Sequence, residues 1–247
     1  MEGIKLRNLF NIHGSKITFI FILSFFIGST LMAQRNYRGN YNYKDFQKKP
    51  YYFGLTIGVN SSNYKVGQSK FFINNDSIDV VSGLSGTGIN LHMIANLKLG
   101  EFFDFRFLPG FAFSNRSFQF KEIDTGLTVD RSIESVFFEL PFHIRFKSEP
   151  YKDKRFFVLG GLKYNYDVSS NSSSRKARTL IKISPHDFQW EVGLGAQFFF
   201  PYFIFSPEIK FSRGLGNILI YDNLLYESRV MENVVSEIFT ISFHFEG

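Results

Sequence analysis

The sequence predicts an all-β fold, an eight-stranded antiparallel transmembrane β-barrel with an N-terminal signal peptide. Three observations favour this fold: a basic and apolar leader, eight segments in which apolar and polar residues alternate, and connections that alternate between long and short. Alternation with period two places apolar side chains on one face of a strand and polar side chains on the other. The apolar face can contact either a protein core or lipid, so the other two observations decide between these possibilities.

The chain begins with a leader typical of exported proteins. Lys5, Arg7 and Lys16 precede an uncharged apolar run over 17–32, and Ala33 offers a cleavage point. The run is shorter than the ~20 residues that a membrane-spanning helix needs, which favours a signal peptide over an anchor. We therefore predict a signal peptide over 1–33 and export of the mature protein.

The stretch after the leader, QRNYRGNYNYKDFQKKP over 34–50, is polar, basic and rich in Tyr and Asn. It has no apolar periodicity, which predicts a flexible periplasmic arm outside the folded domain. The outer-membrane barrel domain is then predicted over 51–247.

Eight segments alternate between apolar and polar residues and predict the barrel strands. They cover 53–60, 89–99, 103–113, 136–147, 156–168, 188–198, 203–212 and 238–245. The apolar row of each segment has about the 9 to 11 residue span with which a tilted strand crosses a bilayer. In the last segment this row consists of Phe239, Ile241, Phe243 and Phe245.

The connections between these segments alternate in length. Long connections cover 61–87, 114–135, 169–187 and 214–236, and short ones cover 100–101, 148–154 and 199–202. Long extracellular loops and short periplasmic turns alternate in this way in membrane barrels. A closed barrel also pairs every backbone polar group in lipid, whereas an open sheet does not. We therefore predict that the apolar rows face acyl chains, and that the row of the last segment forms a C-terminal barrel signal.

The opposite rows carry full charges at mid-strand, at Asp104, Arg106, Glu139, Lys163, Glu191, Glu208 and Lys210. The inside of an eight-stranded barrel is narrow and filled by side chains, and an unpaired charge there is too costly. We predict an interior network of ion pairs that fixes the strand register. Arg106 and Glu139 are expected at similar depth, and Glu208 is expected to have a lysine partner, either Lys163 or Lys210.

Composition and motifs argue against several classes of function. The chain has no Cys, so it offers neither a disulfide nor a thiolate metal site. Its charge of +6 is scattered and accompanies no nucleic-acid-binding motif. There is no Gly-x-Ser-x-Gly elbow and no His pair with metal spacing. We therefore predict no enzyme activity, no catalytic, cofactor or metal site, no nucleic-acid partner and no small-molecule substrate. The histidines His92, His143, His186 and His244 are expected to be structural.

Four segments resemble those of the PorT family of Bacteroidetes outer-membrane barrels, in its PorT/SprT branch. They are FFELPFHIRFK (137–147), FFVLGGLKYNYDV (156–168), FSPEIKFSRGLGNIL (205–219) and FTISFHFEG (239–247). The most specific part is Ser206-Pro207-Glu208-x-Lys210 running into Arg213-Gly214-Leu215. The resemblance implies a non-enzymatic component of type IX protein secretion, and of gliding motility where present. Such a component acts through contacts with other secretion-system proteins.

Three functions remain open on the sequence alone. The first is an accessory barrel of type IX secretion in the outer membrane of a Gram-negative cell, with outer-membrane lipid and secretion proteins as its partners. The second is a stand-alone barrel for adhesion or envelope structure. The third is a lipid-modifying or transport barrel. Deletion would retain secreted cargo, alter surface binding, or change the lipid profile, respectively.

Overall fold

Ten strands and two helices form the described part of the chain. A computed structural model describes residues 40–70, 78–122, 128–169, 182–222 and 226–247. The predicted signal peptide over 1–33 lies outside the described residues. The helices are α1 (Tyr41–Gln47) and α2 (Tyr226–Arg229). The strands are β1 (Tyr51–Gln68), β2 (Ile78–Leu84), β3 (Gly86–Lys98), β4 (Phe103–Phe107), β5 (Gly110–Glu122), β6 (Thr128–Lys147), β7 (Lys154–Asp167), β8 (His186–Phe199), β9 (Ile204–Gly214) and β10 (Met231–Glu246).

These strands form one antiparallel sheet that closes on itself as a ring of eight barrel strands. Strands β2 and β3 follow each other along one barrel strand, since both pair with β5. Strands β4 and β5 likewise form the next barrel strand, since both pair with β3 and β6. Strand β1 closes the ring by pairing with β10 on one edge and with β3 on the other. The predicted eight-stranded antiparallel barrel is confirmed.

Pro109 interrupts one barrel strand without changing its register. Phe107, the last residue of β4, faces Ala95, and Gly110, the first residue of β5, faces His92. Proline has no backbone N–H to donate to a neighbouring strand. Its carbonyl still accepts a hydrogen bond of 2.9 Å from the backbone N–H of Met93, which keeps the two halves in line.

Apolar side chains face outward and polar side chains face inward, the reverse of a water-soluble protein. In β10, Phe239 and Phe243 are 46% and 43% exposed, whereas the residues that follow each of them, Thr240 and His244, are 2% and 1% exposed. The same outward apolar row occurs on other strands, for example at Leu55, Ile57, Leu91, Met93, Ile144, Phe156, Val158 and Leu194. A continuous apolar surface of this extent requires lipid rather than water around it.

The apolar belt ends at a defined level on neighbouring strands, at the barrel end opposite the short turns. On β1 the outward side chains change from apolar at Val59 to polar at Ser61, and on β5 they change from Phe113 to Asn115. From Tyr51 to Val59 the belt occupies about nine residues of β1, the length with which a tilted strand crosses the hydrocarbon layer. Polar outward residues therefore mark where the barrel leaves the membrane.

The barrel continues past this edge in an extension formed by 62–68, 78–86, 115–122, 128–135 and 231–237. The sequence predicts long connections over most of these residues, and that prediction is wrong where the strands continue. The outward face meets water here, so the apolar alternation that marks the membrane part is lost. Inside the extension, however, Tyr64 stacks on Phe118 with ring centroids 4.9 Å apart, which gives the strands a packed core.

Helix α1 lies in the stretch that the sequence predicts to be a flexible arm, and it corrects that prediction for 40–50. Tyr43 and Phe46 are each 4% exposed and pack against Phe199 and Ile204 of the barrel. Two apolar residues in a seven-residue stretch are too few to indicate an amphipathic helix from sequence. The helix is also too short to be stable by itself, so it depends on its contacts with the barrel. Neither α1 nor α2, the helices of the described ranges, is long and apolar enough to span a membrane.

Candidate functional site

The seven charged residues predicted for the barrel interior come from five different strands, and none is more than 5% exposed. Four of them, Glu139, Lys163, Glu191 and Lys210, contact one another in what we term the central cluster. Asp104 and Arg106 lie in a second group, and Glu208 pairs separately with a histidine. The proposed role of the seven in fixing strand register remains a prediction.

Glu191 connects the central cluster. Lys163 Nζ lies 3.4 Å from its Oε1 and Lys210 Nζ lies 3.3 Å from its Oε2, while the Ser212 hydroxyl donates a 2.6 Å hydrogen bond to Oε1. Lys163 also lies 3.0 Å from Glu139. Small neighbours across β8 favour this arrangement, because Gly161 and Ser212 face Glu191 on either side. Charge-assisted contacts of this kind offset the cost of removing the groups from water.

Each of the three inner histidines contacts a glutamate. The pairs are His92 with Glu139 at 3.0 Å, His143 with Glu191, and His244 with Glu208 at 3.1 Å. The sequence missed these pairs because the partners are far apart along the chain. The local signal in the sequence is that all three histidines occupy the same alternating positions as the charged residues, which predicts that they face the interior. Among the described residues, no group of three His, Asp or Glu side chains is placed to hold a metal ion.

The predicted lysine partner of Glu208 is wrong. The Glu208 carboxylate lies against His244, whereas Lys163 and Lys210 both contact Glu191. Lys210 faces Gly193 across the β8–β9 ladder. Because glycine has no side chain, the Lys210 amine has room to reach the Glu191 carboxylate on β8 instead of the Glu208 carboxylate on its own strand.

A second group, which we term the periplasmic cluster because the short turns at this end are expected to be periplasmic, consists of Asp104, Arg106, Arg145, Lys147 and Glu246. Arg145 donates a 2.7 Å hydrogen bond to Asp104, Lys147 contacts the same carboxylate, and Arg106 donates a 2.6 Å hydrogen bond to Glu246. The sequence-based network omitted Arg145, Lys147 and Glu246. All three lie on inward rows that carry other polar residues, and Glu246 follows His244 by two residues. The alternation of the sequence therefore already indicated that they face the interior.

Arg106 and Glu139 do not lie at similar depth, contrary to expectation. Arg106 faces His143 across the β4–β6 ladder, whereas Glu139 faces Gly110 of β5, four residues further along the same barrel strand. Counting residues from the turns fails here because neighbouring barrel strands are staggered.

Charge inside the barrel is nearly balanced. Among the described residues, six carboxylates and seven Lys or Arg side chains are buried. The carboxylates are those of Asp104, Glu139, Asp187, Glu191, Glu208 and Glu246, and the cations are Arg106, Arg116, Arg145, Lys147, Arg155, Lys163 and Lys210. Near-balance makes burial tolerable, whereas removing one member leaves its partner uncompensated. The arrangement can therefore link strands to one another across the interior.

Both ends of the interior are covered by packed side chains. Helix α1 lies at the end that carries the short turns, through Tyr43 and Phe46. At the other end lies an apolar cluster of Tyr64, Phe118, Phe120, Ile218, Val230, Met231 and Val234. Arg116, which the sequence did not single out, lies between the Tyr64 and Phe137 rings at 4.9 and 4.7 Å. This packing is typical of narrow barrels filled by their own side chains.

The C-terminal strand β10 presents Phe239, Ile241, Phe243 and Phe245 on the outer face and pairs with both β1 and β9. Phe243 stacks on Phe205 of β9, with ring centroids 6.0 Å apart. The strand thus completes the ring and its apolar belt. That its apolar row serves as an assembly signal remains a prediction.

The chain matches a family model of outer-membrane barrels. Residues 32–219 match the model of the family described as "Outer membrane protein beta-barrel domain". Three solved structures are similar over most of the chain. OprG from Pseudomonas aeruginosa is 13% identical, and the match covers 80% of this chain and 95% of OprG with a TM-score of 0.48. Neisserial surface protein A is 10% identical, and the match covers 78% of this chain and 95% of that protein with a TM-score of 0.41. Ail of Yersinia pestis is 13% identical, and the match covers 81% of this chain and 100% of Ail with a TM-score of 0.36. No curated protein matches the chain.

Proposed function

The chain belongs to the outer membrane protein beta-barrel domain family and resides in the outer membrane, and we propose that it is a non-enzymatic barrel that works through contacts with other proteins. The observation that carries this proposal is the filled interior. Ion-paired side chains occupy the middle of the barrel, and packed aromatic residues cover both ends. Partners would therefore bind at the ends and the extension rather than pass through.

The specific process that we propose is type IX protein secretion, together with gliding motility in cells that glide. Support comes from the resemblance of 137–147, 156–168 and 205–219 to the PorT family. These stretches form parts of β6, β7 and β9. Two of the residues in them, Glu208 and Lys210, point into the interior, so this part of the resemblance concerns how the barrel is held together. Partner contacts would come from the periplasmic end, where Lys44 of α1 and the following Lys48 and Lys49 are exposed.

A stand-alone adhesion or structural barrel is the second candidate. The extension favours it, because β1, β2, β5, β6 and β10 continue beyond the apolar belt as a packed extracellular structure. Outward side chains there are polar, as at Asn115 and Glu134, which suits contact with an external ligand.

Gene deletion in the native cell separates the two functions. We expect type IX cargo to remain inside the cell, with export restored by the wild-type gene. We also expect rescue by a copy in which Asn115 and Glu134 are replaced by Ser and Gln, because the extension surface is not needed for export. Normal export in the deletion strain, with altered surface binding that only the unmodified extension restores, would contradict the secretion proposal and support adhesion.

A further inference from the structure

A cavity of about 350 Å³ lies at the periplasmic end, between helix α1 and the mouth of the barrel. Tyr43 and Phe46 of the helix form one wall, and Phe199 and Ile204 of the barrel form part of the other. This volume lies at the lower end of the range for small-molecule pockets, which fits a single head group better than a large ligand.

The cavity is strongly basic. The cationic side chains that line it are Lys48, Lys49, Lys98, Lys147 and Arg155, and the one acidic lining residue is Glu101. Lys147 and Arg155 are each 3% exposed, so two of the cations are buried in the wall rather than solvated. Burying like charges together is unfavourable unless an anion accompanies them.

The neighbouring carboxylates compensate this charge only in part. Asp104 is shared by Arg145 and Lys147, and Glu246 is engaged by Arg106. In the periplasmic cluster, two carboxylates therefore face three cations.

Two further wall cations, Arg155 and Lys98, contact neutral oxygen atoms. Arg155 donates to the Tyr43 hydroxyl at 3.1 Å and contacts the backbone carbonyls of Ser148 and Glu101. The Lys98 amine contacts the backbone carbonyl of Phe46. Five cations thus line the cavity against one lining carboxylate, that of Glu101, so positive charge is in excess there.

The cavity also adjoins the membrane surface. Gly100 and Glu101 form part of its rim, and their neighbours Leu99 and Phe102 are exposed apolar residues of the β3–β4 turn. Exposed aromatic residues at the end of a barrel strand lie at the level of the lipid head groups. A head group of the inner leaflet can therefore reach the cavity while its acyl chains remain against the barrel.

From this geometry we propose that the cavity binds the phosphate group of an inner-leaflet phospholipid. Lysine amines bind phosphate oxygens as point charges, and basic pockets beside a membrane bind anionic head groups. The bound phosphate would supply the missing negative charge and would tie α1 to the barrel mouth. This binding is independent of whether the barrel serves secretion or adhesion.

The test uses the full chain, purified in mild detergent, delipidated and titrated with phosphatidylglycerol, with bound lipid read by native mass spectrometry. The variant K49Q/K98Q removes two cations of the cavity and keeps a hydrogen-bond donor at each position. The matched control K152Q/K154Q removes Lys152 of the β6–β7 turn and Lys154, the first residue of β7, at the same end but outside the cavity lining. Heat-modifiable gel migration checks that each variant forms the barrel.

We expect K49Q/K98Q to weaken phosphatidylglycerol binding by about tenfold or more, and the control to change it by less than about twofold. Inorganic phosphate is titrated in parallel and is expected to bind more weakly than the lipid. Equal binding by the two variants would overturn the proposal. Inorganic phosphate binding as tightly as the lipid would overturn the lipid as the source, and displacement of the lipid by hexaglutamate at equal concentration would indicate an acidic peptide site instead.

Discussion

At the scale of single residues, Glu191 is the most connected carboxylate among the residues that the structure describes. It contacts two lysines, a histidine and a serine, and it is 1% exposed. Replacing Glu191 removes the ion pair of Lys210 and one of the two ion pairs of Lys163, which keeps its contact with Glu139. Glu208, by contrast, contacts a single histidine, which can shed its charge by losing a proton.

We expect Glu191→Leu to reduce the free energy of unfolding by about 3–5 kcal/mol, because Lys163 and Lys210 lose a buried partner. Glu208→Leu is the matched comparison and should cost less, about 1–3 kcal/mol, because it leaves only His244. Urea titration of the barrel in lipid vesicles, followed by heat-modifiable gel migration, measures both values. A Glu208→Leu effect equal to or larger than that of Glu191→Leu would contradict the assignment of partners.

Two adjacent glycines of β7 offer a second test at this scale. A Cβ on Gly161 would lie 2.0 Å from the backbone oxygen of Phe142 and 2.7 Å from His143 Cδ2, whereas a Cβ on Gly160 would lie 4.0 Å from its nearest neighbour. We expect Gly161→Ala to lower the folded fraction, at a cost of about 1–3 kcal/mol, and Gly160→Ala to leave it unchanged. The folded fraction after refolding into detergent measures this, and equal fractions would argue against the close approach of β6 and β7.

At the scale of elements, helix α1 is stable only through its contacts with the barrel. Seven residues are too few for an isolated helix in water, and this helix buries just Tyr43 and Phe46. The Lys98 amine additionally contacts the Phe46 carbonyl near the end of the helix.

Phe46→Ala should therefore release α1 without opening the barrel. We expect faster hydrogen exchange over 41–47 and unchanged heat-modifiable migration, because the ring contact with Phe199 is lost while the strand ladder remains. Tyr41→Ala is the control, since Tyr41 is 80% exposed on the same helix. Unchanged exchange in Phe46→Ala would show that the helix is held by other contacts.

The sequence predicts the membrane strands well and their extensions poorly, for a physical reason. Alternation is a local signal wherever the outer face meets lipid, so the apolar row of Phe239 and Phe243 is evident from sequence. Beyond Ser61 and Asn115 the outer face meets water and the signal ends, although the strands continue. Ion-pair partners such as Glu208 and His244 depend on the stagger between strands, which no short stretch of sequence encodes.

At the scale of the whole molecule, two surfaces of opposite character define the barrel. The outer belt is apolar and exposed, and the inner surface is charged and paired. An apolar outer surface together with a charged inner surface is stable only when lipid surrounds the belt. In water the exposed apolar belt would be unfavourable, and the molecule would aggregate. The polar ends then mark the two membrane boundaries, with the basic cavity at the end that carries the short turns and the extension at the opposite end.

Trp190, the single tryptophan of the chain, reports directly on this claim. It lies on the outer face of β8 beside Phe188, which is 60% exposed, and its ring packs edge-on against Phe211 at 5.7 Å. A W190F/Y221W variant moves the reporter to Tyr221, which is 57% exposed and lies outside the strands. The two proteins then differ only in which environment the tryptophan samples.

The most direct measurement is quenching of tryptophan fluorescence in vesicles whose acyl chains carry bromine. If hydrocarbon surrounds the belt, Trp190 emission is blue-shifted and strongly quenched by the brominated chains, while W190F/Y221W is quenched by aqueous iodide instead. Trp190 emission that brominated chains leave unchanged, in a barrel shown to be folded, would contradict the account.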